Sequence, residues 1–385
     1  MAKAKKYDIK LANPFVIGRY AGPEYFCDRE EQLAFLEKSI TNGRDVAIIS
    51  PRRMGKSGLI EHFFAQEVIG NEYMTIFVDV YATSTVAELV AILGQAVFQA
   101  VMREKDSPWQ RFIEGLKSLR PTVTFDANTG VPSLSLTAVN LIQPELTLAE
   151  IFDYLESAPR PAIVAIDEFQ EISKYGGGKA EALLRSHIQR SPRTRFIFAG
   201  SEQTVMTAMF NSMKRPFYQS CLMLHLQPIE VRAYVEFGMR KFSEYGKVGN
   251  EEVIRTVYHN MSGITWFVQI MLNELFAITP KGGHLRTEDI PVAEQNIIGV
   301  QEYNYRDLMA RLSPMQRSLA IYLAKNGSVN NIMSAESLAA SGFKTAASMQ
   351  SACKGLVKAG LATKTDDAYY LYDIFFATWL RNGTM

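Results

Sequence analysis

Short apolar runs alternate with longer stretches of helical spacing over the first 230 residues of the chain. Strands that are covered by helices on both faces are apolar almost throughout, so the five strongest runs predict five buried parallel strands. The alternation of strands with helices predicts an α/β unit. The predicted strands span residues 45–49, 75–80, 162–166, 195–199 and 221–226.

One segment between the second and third predicted strands breaks this alternation. Residues 122–125 and 131–136 alternate polar and apolar side chains, and the turn-forming residues 126–130 separate them. Alternation with a period of two about such a turn is typical of a β-hairpin. The segment at about residues 121–137 is therefore predicted to be a hairpin inserted into the α/β unit.

The pattern changes after residue 228, where apolar positions at helical spacing replace the strand signals and predict a small helical lid domain over residues 229–300. Three helices are predicted beyond residue 300, at 313–325, 335–340 and 345–359, and a hairpin is predicted over residues 361–371. Three helices followed by a hairpin are typical of a winged helix. The predicted domains are residues 1–228, 229–300 and 301–385.

The sequence SPRRMGKS at residues 50–57 follows the first predicted strand and opens a helix. A phosphate-binding loop, or P-loop, needs backbone N–H groups at a helix amino terminus, a lysine for the β- and γ-phosphates and a hydroxyl for Mg²⁺. Gly55, Lys56 and Ser57 supply these groups, although Ser50 replaces the first glycine of the usual pattern; an ordinary strand-to-helix turn is the alternative. The residues predicted to bind the nucleotide here are Ser50, Pro51, Arg52, Arg53, Met54, Gly55, Lys56, Ser57 and Gly58.

Two acidic residues, Asp167 and Glu168, end the third predicted strand. A Mg²⁺-nucleotide site needs a carboxylate at the end of a neighbouring strand for the metal and a second acid to polarise the attacking water. Asp167 fits the first role, with Ser57 as the second metal ligand, and Glu168 fits the second role. One further strand separates the P-loop from these acids in sequence, which is the layout of P-loop proteins with an extra strand and a catalytic glutamate. Acids that merely cap a strand end are the alternative.

Two further residues are candidates for sensing the nucleotide. Ser201 follows the fourth predicted strand, which is expected to lie between the P-loop strand and the acid-bearing strand, so its hydroxyl could sense the γ-phosphate. The alternative is that Ser201 caps the next helix. Arg215 could be an arginine finger that stabilises transition-state charge on a neighbouring subunit's nucleotide, or a sensor in its own chain. A surface salt bridge is the alternative for Arg215.

Four segments carry a resemblance to a known family: FCDREE at residues 26–31, SPRRMGKS, AIVAIDEFQE at residues 162–171 and YLYDIFFATWLR at residues 370–381. Together they resemble the archaeal-type ATPase group of the STAND P-loop NTPases, which are related to the AAA+ ATPases. The resemblance covers nearly the whole chain and implies that Phe26 and Arg29 help to form an adenine pocket. Asp28 replaces the family's usual glycine, and Thr265 replaces the proline of its Gly-x-Pro lid motif.

The composition narrows the function classes. The 385 residues are 47% hydrophobic, and 41 basic and 40 acidic residues nearly cancel, which excludes a whole-surface polyanion binder. Three scattered cysteines suit neither a disulfide framework nor a four-ligand zinc site. The basic amino terminus leads into no apolar segment. These features predict a folded cytoplasmic protein that has no membrane partner.

The motifs lead to three functional hypotheses, of which the first is favoured. The protein is a slow Mg²⁺-dependent ATPase that binds ATP and ADP and acts as a molecular switch on its winged helix, with an unknown protein partner or self-association. Alternatively, it is a DNA-associated ATPase, since residues 301–385 hold nine Lys or Arg against six Asp or Glu. A non-catalytic nucleotide-binding scaffold is the third hypothesis.

Overall fold

The computed structural model of the protein describes residues 10–104, 109–118, 122–125, 132–137, 141–364 and 368–383. The described chain divides into two units. The first unit contains residues 18–229, and the second contains residues 10–17 together with residues 230–383.

A five-stranded parallel sheet forms the centre of the first unit. Its strands follow the order β2-β5-β6-β1-β7, so β6 lies between β1 and β5, as the sequence predicts. All five predicted strands are confirmed to within two residues. The strands of this unit are β1 Val46–Ile49, β2 Met74–Asp79, β3 Thr122–Phe125, β4 Pro132–Ser135, β5 Ala162–Asp167, β6 Thr194–Gly200 and β7 Leu222–His225.

Helices cover the sheet and explain why its strands are so apolar. Every residue of β1 and β5 is buried, as expected of central strands with helices on both faces. The longest covering helix, α4, buries an apolar stripe against the core that includes Leu89, Leu93 and Val97. The helices of this unit are α1 Glu30–Thr41, α2 Lys56–Phe64, α3 Glu67–Glu72, α4 Val86–Val101, α5 Trp109–Gly115, α6 Pro144–Ser157, α7 Lys179–Ile188 and α8 Gln203–Asn211.

Strands β3 and β4 pair in antiparallel register and confirm the predicted hairpin insertion, although its turn lies outside the described residues. Leu134 and Leu136 are buried in the core of the unit. Gly94 of α4 permits this approach, because a Cβ atom at position 94 would lie 2.6 Å from Cδ1 of Leu136. The insertion is therefore packed onto the unit and contributes to its core.

The second unit is mainly helical. Its helices are α9 Val231–Glu244, α10 Glu251–Asn260, α11 Thr265–Ile278, α12 Asp289–Arg311, α13 Pro314–Asn326, α14 Ala335–Ser341, α15 Ala346–Lys358 and α16 Ile374–Arg381, and its strands are β8 Val329–Asn330, β9 Ala362–Lys364 and β10 Ala368–Leu371.

Helices α13, α14 and α15 and the antiparallel pair β9 and β10 confirm the predicted winged helix. The structure adds strand β8, which pairs with β10, and helix α16, whose Trp379 is buried beside Tyr305 and Phe376. Helix α12 runs without a break through residue 300, where the sequence predicts the boundary between the lid and the winged helix. That division of residues 229–385 stays a prediction.

Residues 10–17 belong to the second unit, whereas the sequence predicts that they belong to the α/β unit. The reason is the burial of Phe15, whose ring packs against Phe237, Phe242 and Phe276. Asn273 donates a hydrogen bond to the carbonyl oxygen of Phe15 (2.6 Å), which anchors the segment further. No helix within the described ranges is both long and apolar enough to cross a membrane.

A half-buried carboxyl before β1, that of Asp45, generates a stability prediction. Asp45 Oδ1 accepts a hydrogen bond from the backbone N–H of Phe196 (2.9 Å). Burial raises the pKa of Asp45 to about 6, against smaller opposing effects of the Phe196 hydrogen bond, Arg195 and Arg185. Because the folded state holds this proton more tightly than the unfolded chain, stability falls as pH rises from about 4 to 6 and stays reduced above that range.

We therefore expect Asp45→Asn, which keeps the hydrogen-bond acceptor but cannot ionise, to be more stable than the wild type above pH 6. The expected gain is about 1–3 kcal/mol at pH 7.5, and it should vanish near pH 4. Urea unfolding at the two pH values measures it. Equal or lower stability of the variant at pH 7.5 would contradict this account of Asp45.

Candidate active site

The P-loop residues, Asp167, Glu168 and Ser201 meet at the carboxyl edge of the sheet. Strands β5, β6 and β1 are neighbours and parallel, so the residues that follow them emerge side by side. Ile49, the last residue of β1, pairs with Gly200 of β6, and Asp167 lies at the end of β5. The structure therefore brings together the P-loop, the two acids and Ser201.

The P-loop backbone has the shape that phosphate binding requires. Helix α2 begins at Lys56, and Gly55 before it has a φ of 88°, a left-handed conformation that favours glycine. The amino terminus of a helix presents unpaired N–H groups and positive partial charge. Lys56 is buried, and its burial lowers the pKa of its amine, while Glu168 and Asp167 act in the opposite direction.

Ser50, which stands where the usual pattern has its first glycine, fits without strain. Seven described residues other than glycine have positive φ, and Ser50 is not one of them. Its side chain is buried, its N–H donates to the carbonyl oxygen of Gly200 (3.4 Å), and its hydroxyl donates to that of Pro51 (3.0 Å). The departure from the pattern therefore leaves the loop geometry intact.

The remaining P-loop residues have different surroundings. Arg52 is exposed, with its guanidinium carbon 5.9 Å from the ring centroid of Tyr81, and Arg53 adopts a positive φ of 63°. Met54 is buried and Pro51 is exposed. A Cβ atom at Gly58 would lie 3.7 Å from the ring of Phe26, so this face of α2 approaches an aromatic side chain closely.

The two predicted magnesium ligands touch each other. The hydroxyl of Ser57 donates a hydrogen bond to Oδ2 of Asp167. Burial raises the pKa of Asp167, although the Ser57 hydrogen bond and the nearby Lys56 counteract this. An adjacent hydroxyl and carboxylate are the oxygen donors that Mg²⁺ takes in P-loop sites, so the residues present fit this ion.

Glu168 occupies an unusual backbone conformation directly after β5. Its φ of 53° and ψ of 40° are left-handed, which costs about 1–3 kcal/mol for a residue other than glycine. Its Oε2 accepts hydrogen bonds from the hydroxyl of Ser201 (2.7 Å) and from Nε2 of Gln170 (2.5 Å). Gln170 lies within the AIVAIDEFQE segment, although no residue pattern in the sequence assigns it a chemical role.

Ser201 does not cap the next helix. The residue before α8 is Glu202, and the Ser201 hydroxyl points to Glu168 instead. The alternative interpretation of Ser201 as a helix cap is therefore wrong. Its contact with Glu168 links the fourth predicted strand to the acid pair, while its role as a γ-phosphate sensor stays a prediction.

Arg215 lies in an ion pair with Glu181 of α7. Its guanidinium nitrogen is 2.6 Å from Oε1 of Glu181, whose side chain is fully buried. Burial raises the pKa of Glu181, and the charge of Arg215 opposes this. Removing one partner of a buried pair leaves an uncompensated charge, which typically costs 3–5 kcal/mol. The role of Arg215 at a nucleotide stays a prediction.

Phe26 packs against an aromatic side chain, whereas Arg29 is buried and bonds to backbone carbonyl groups. Phe26 stacks on His62 of α2, with ring centroids 4.2 Å apart, and the hydroxyl of Tyr20 lies 2.6 Å from Nδ1 of His62. Burial lowers the pKa of His62. Arg29 is buried and donates hydrogen bonds to the carbonyl oxygens of Gln227 (2.7 Å) and Met54 (3.5 Å), so it supports the P-loop through the main chain.

Comparison with protein families identifies the chain. Residues 26–269 match a family described as an ATPase domain predominantly from Archaea, and residues 303–382 match a probable winged helix domain. The chain belongs to this ATPase family, and it is a P-loop ATPase that binds nucleotide and carries a carboxyl-terminal winged helix. No curated protein matches the sequence.

Solved structures share the fold over almost the whole chain. A Walker-type ATPase of Pyrococcus abyssi matches with a TM-score of 0.65 and 23% identity, over 96% of this chain and 99% of the other. The Aeropyrum pernix ORC2 protein matches with 0.56 and 15%, over 96% and 95%. The Aeropyrum pernix ORC1 protein, solved in complex with DNA, matches with 0.53 and 11%, over 96% of each chain.

Proposed function

We propose that this ATPase hydrolyses ATP slowly at the P-loop site and uses the nucleotide as a molecular switch on its winged helix, in the manner of the STAND ATPases. The family establishes the ATPase class. The slow turnover, the switch and the membership of the STAND group are our proposal. The substrate is ATP, the product is ADP, and a protein partner or a second copy of the chain receives the signal.

The geometry supports a role for each of these side chains. Lys56 and the N–H groups at the start of α2 bind the β- and γ-phosphates. Ser57 and Asp167 would hold a magnesium ion, which when bound neutralises charge on the phosphate oxygens. Glu168 accepts a proton from the attacking water. The observation that carries the proposal is the placement of these four side chains at one edge of the sheet, with Ser57 bonded to Asp167 and Glu168 bonded to Ser201.

The division of the chain supports a switch. The nucleotide site lies entirely within the first unit, and the winged helix lies within the second. Within the part of the chain that the structure describes, the backbone passes between the units at residues 17–18 and again at residues 229–230. Two covalent connections provide a route by which a change at the nucleotide can bias the second unit, as ligand-dependent domain switches require.

Glu168→Gln tests the assigned chemistry, because it keeps the size of the side chain and removes the base. We expect it to bind ATP with wild-type affinity while phosphate release falls at least about 100-fold. Lys56→Ala, in contrast, should lose ATP binding. Glu202→Gln is the matched control: this acid follows Ser201 at the same edge, is half-buried, pairs with Lys174 (3.4 Å) and should leave turnover unchanged.

Wild-type turnover by Glu168→Gln would refute the role of Glu168. An intact binding site with no turnover in the wild-type protein would favour the non-catalytic scaffold.

Because Glu168→Gln should hold ATP without cleaving it, amide hydrogen exchange of this variant can also test the switch. Exchange in residues 303–382 should differ between bound ATP and bound ADP, and identical exchange would contradict the switch.

Duplex DNA is a second candidate partner. Helix α15 exposes Lys354 and Lys358 together with Gln350 and Ser351, and Lys364 is exposed on β9 of the wing. Lysines on an exposed winged-helix face can bind phosphates, although only Gln350 could read a base edge here. The solved ORC1 protein, which shares the fold, is bound to DNA. These features support a DNA-associated ATPase as the alternative.

Charge reversal tests this alternative. If the winged helix binds duplex DNA, the double variant Lys354→Glu, Lys358→Glu should bind at least about tenfold more weakly at low salt, and wild-type affinity should fall steeply with salt. Fluorescence anisotropy with a labelled duplex measures both effects. Lys281→Glu, outside the winged helix, is a control for the change in charge. Absence of wild-type binding at low salt would rule out this partner.

A further inference from the structure

Gln170 is a fully buried amide that none of the assigned roles uses. It lies in a short 3-10 helix, Phe169–Lys174, directly after the two acids. A buried amide without hydrogen bonds costs several kcal/mol, so a polar side chain is retained at such a position only where it finds partners. In this protein both of its partners belong to the active-site edge.

The two ends of the amide have distinct partners. Oε1 of Gln170 accepts a hydrogen bond from the backbone N–H of Ser201 (3.2 Å), and Nε2 donates to Oε2 of Glu168 (2.5 Å). Because a backbone N–H can only donate, the contact with Ser201 sets which end of the amide is the oxygen. The nitrogen must then face the carboxylate, so the orientation of the amide is determined by the main chain of the neighbouring strand end.

The surroundings hold Gln170 in this position. Gly200, the last residue of β6, leaves space for it, because a Cβ atom at position 200 would lie 2.5 Å from Oε1 of Gln170. Phe169, the preceding residue, is buried and packs against Phe198 of β6, with ring centroids 4.5 Å apart. The 3-10 helix is thus fixed to β6 by an aromatic contact on one side of Gln170 and by the amide itself.

We propose that Gln170 is a positioning residue for ATP hydrolysis, which orients the carboxylate of Glu168 toward the attacking water. Two donors, Gln170 and Ser201, bind the same oxygen, Oε2. Among the described residues none donates a hydrogen bond to Oε1, which leaves that oxygen to accept the proton of water. The proposal rests on the role of Glu168 as the base.

The two hydrogen bonds to Oε2 matter because the Glu168 side chain has several rotatable bonds and lies on a strained backbone. A carboxylate free to change rotamer would spend little time in the orientation that takes a proton, and a misplacement of about 1 Å can cost about 100-fold in rate. Hydrogen bonds to a charged acceptor are the strong ones, so two of them on one oxygen restrict rotation effectively. Gln170 supplies one bond directly and supports Ser201 through its N–H.

Gln170→Met tests the proposal with a side chain of similar length that cannot form hydrogen bonds. We expect kcat to fall about 10- to 100-fold while the Kd for ATP changes less than about twofold, since Lys56 and Ser57 are untouched. The matched control is Gln95→Met. Gln95 is a half-buried glutamine of the same unit whose Nε2 donates to the carbonyl oxygen of Leu136 (2.6 Å), so its loss should lower stability without lowering kcat.

Gln170→Glu gives a readout that a purely structural role would not move. It keeps the acceptor for the backbone N–H of Ser201 but replaces the donor that faces Oε2 of Glu168 with a carboxyl oxygen. We expect kcat to fall at least about tenfold while the Kd for ATP changes less than about twofold, because Lys56 and Ser57 are untouched. Urea unfolding of the same variant measures its stability, so a fall in kcat of the folded protein is due to the missing donor.

The outcomes separate this proposal from the proposed function. If Glu168→Gln loses turnover but both Gln170 variants keep wild-type kcat, the positioning role is overturned and the base remains. If Gln170→Met hydrolyses ATP faster than the wild type, Gln170 restrains Glu168 in an inactive orientation, which also overturns the proposal. If Glu168→Gln retains turnover, the base assignment itself fails. Should Gln170→Met not fold, Gln170→Glu decides alone.

Discussion

The parallel register of β1, β5 and β6 determines where every polar group of the active site can lie. Since these strands are neighbours, three loops leave the sheet side by side: the P-loop, the acid pair and the turn at Ser201. Helix α2 begins at Lys56 because Gly55 turns the chain with a positive φ. The contacts Ser57–Asp167 and Ser201–Glu168 each join residues more than thirty positions apart in sequence, and both depend on this register.

Burying so many polar groups is possible only because they satisfy one another. Lys56, Asp167 and Gln170 are all buried, and each has a charged or hydrogen-bonding partner within the site. Buried networks of this kind are rigid when complete and costly when one member is removed. The left-handed backbone of Glu168 adds strain, which the hydrogen bonds from Ser201 and Gln170 help to offset. The hydrogen bonds of the site therefore hold the carboxylate of Glu168 in one orientation.

Most of the fold could be predicted from the sequence because its signals are local. Buried strands such as β5 consist of consecutive apolar residues, and the P-loop is a contiguous segment that follows one of them. The contact partners that decide finer points are distant. Phe15 finds its aromatic partners more than 200 residues away, and Arg215, in the turn after α8, is paired with Glu181 of α7. Neither pairing leaves a periodic pattern in the chain.

In the candidate site, too, local sequence signals could be predicted, whereas contacts between distant residues could not. Asp167 and Glu168 were recognisable because two acids at a strand end match a known chemical need. The amide of Gln170 points to Glu168 only because of the left-handed turn at residue 168 and the space left by Gly200. Ser201 precedes a helix and has the composition of a cap, yet its hydroxyl bonds a side chain across the sheet edge. Tertiary contacts therefore overrode the local propensity.

The most direct test of this account is a crystal structure of the wild-type protein with Mg²⁺, ADP and a planar γ-phosphate mimic. The account predicts a water molecule about 3 Å from Oε1 of Glu168 and in line with the mimic, while Oε2 keeps its hydrogen bonds to Ser201 and Gln170. A carboxylate of Glu168 turned away from that water, or a nucleotide bound elsewhere than at Lys56 and Ser57, would contradict it.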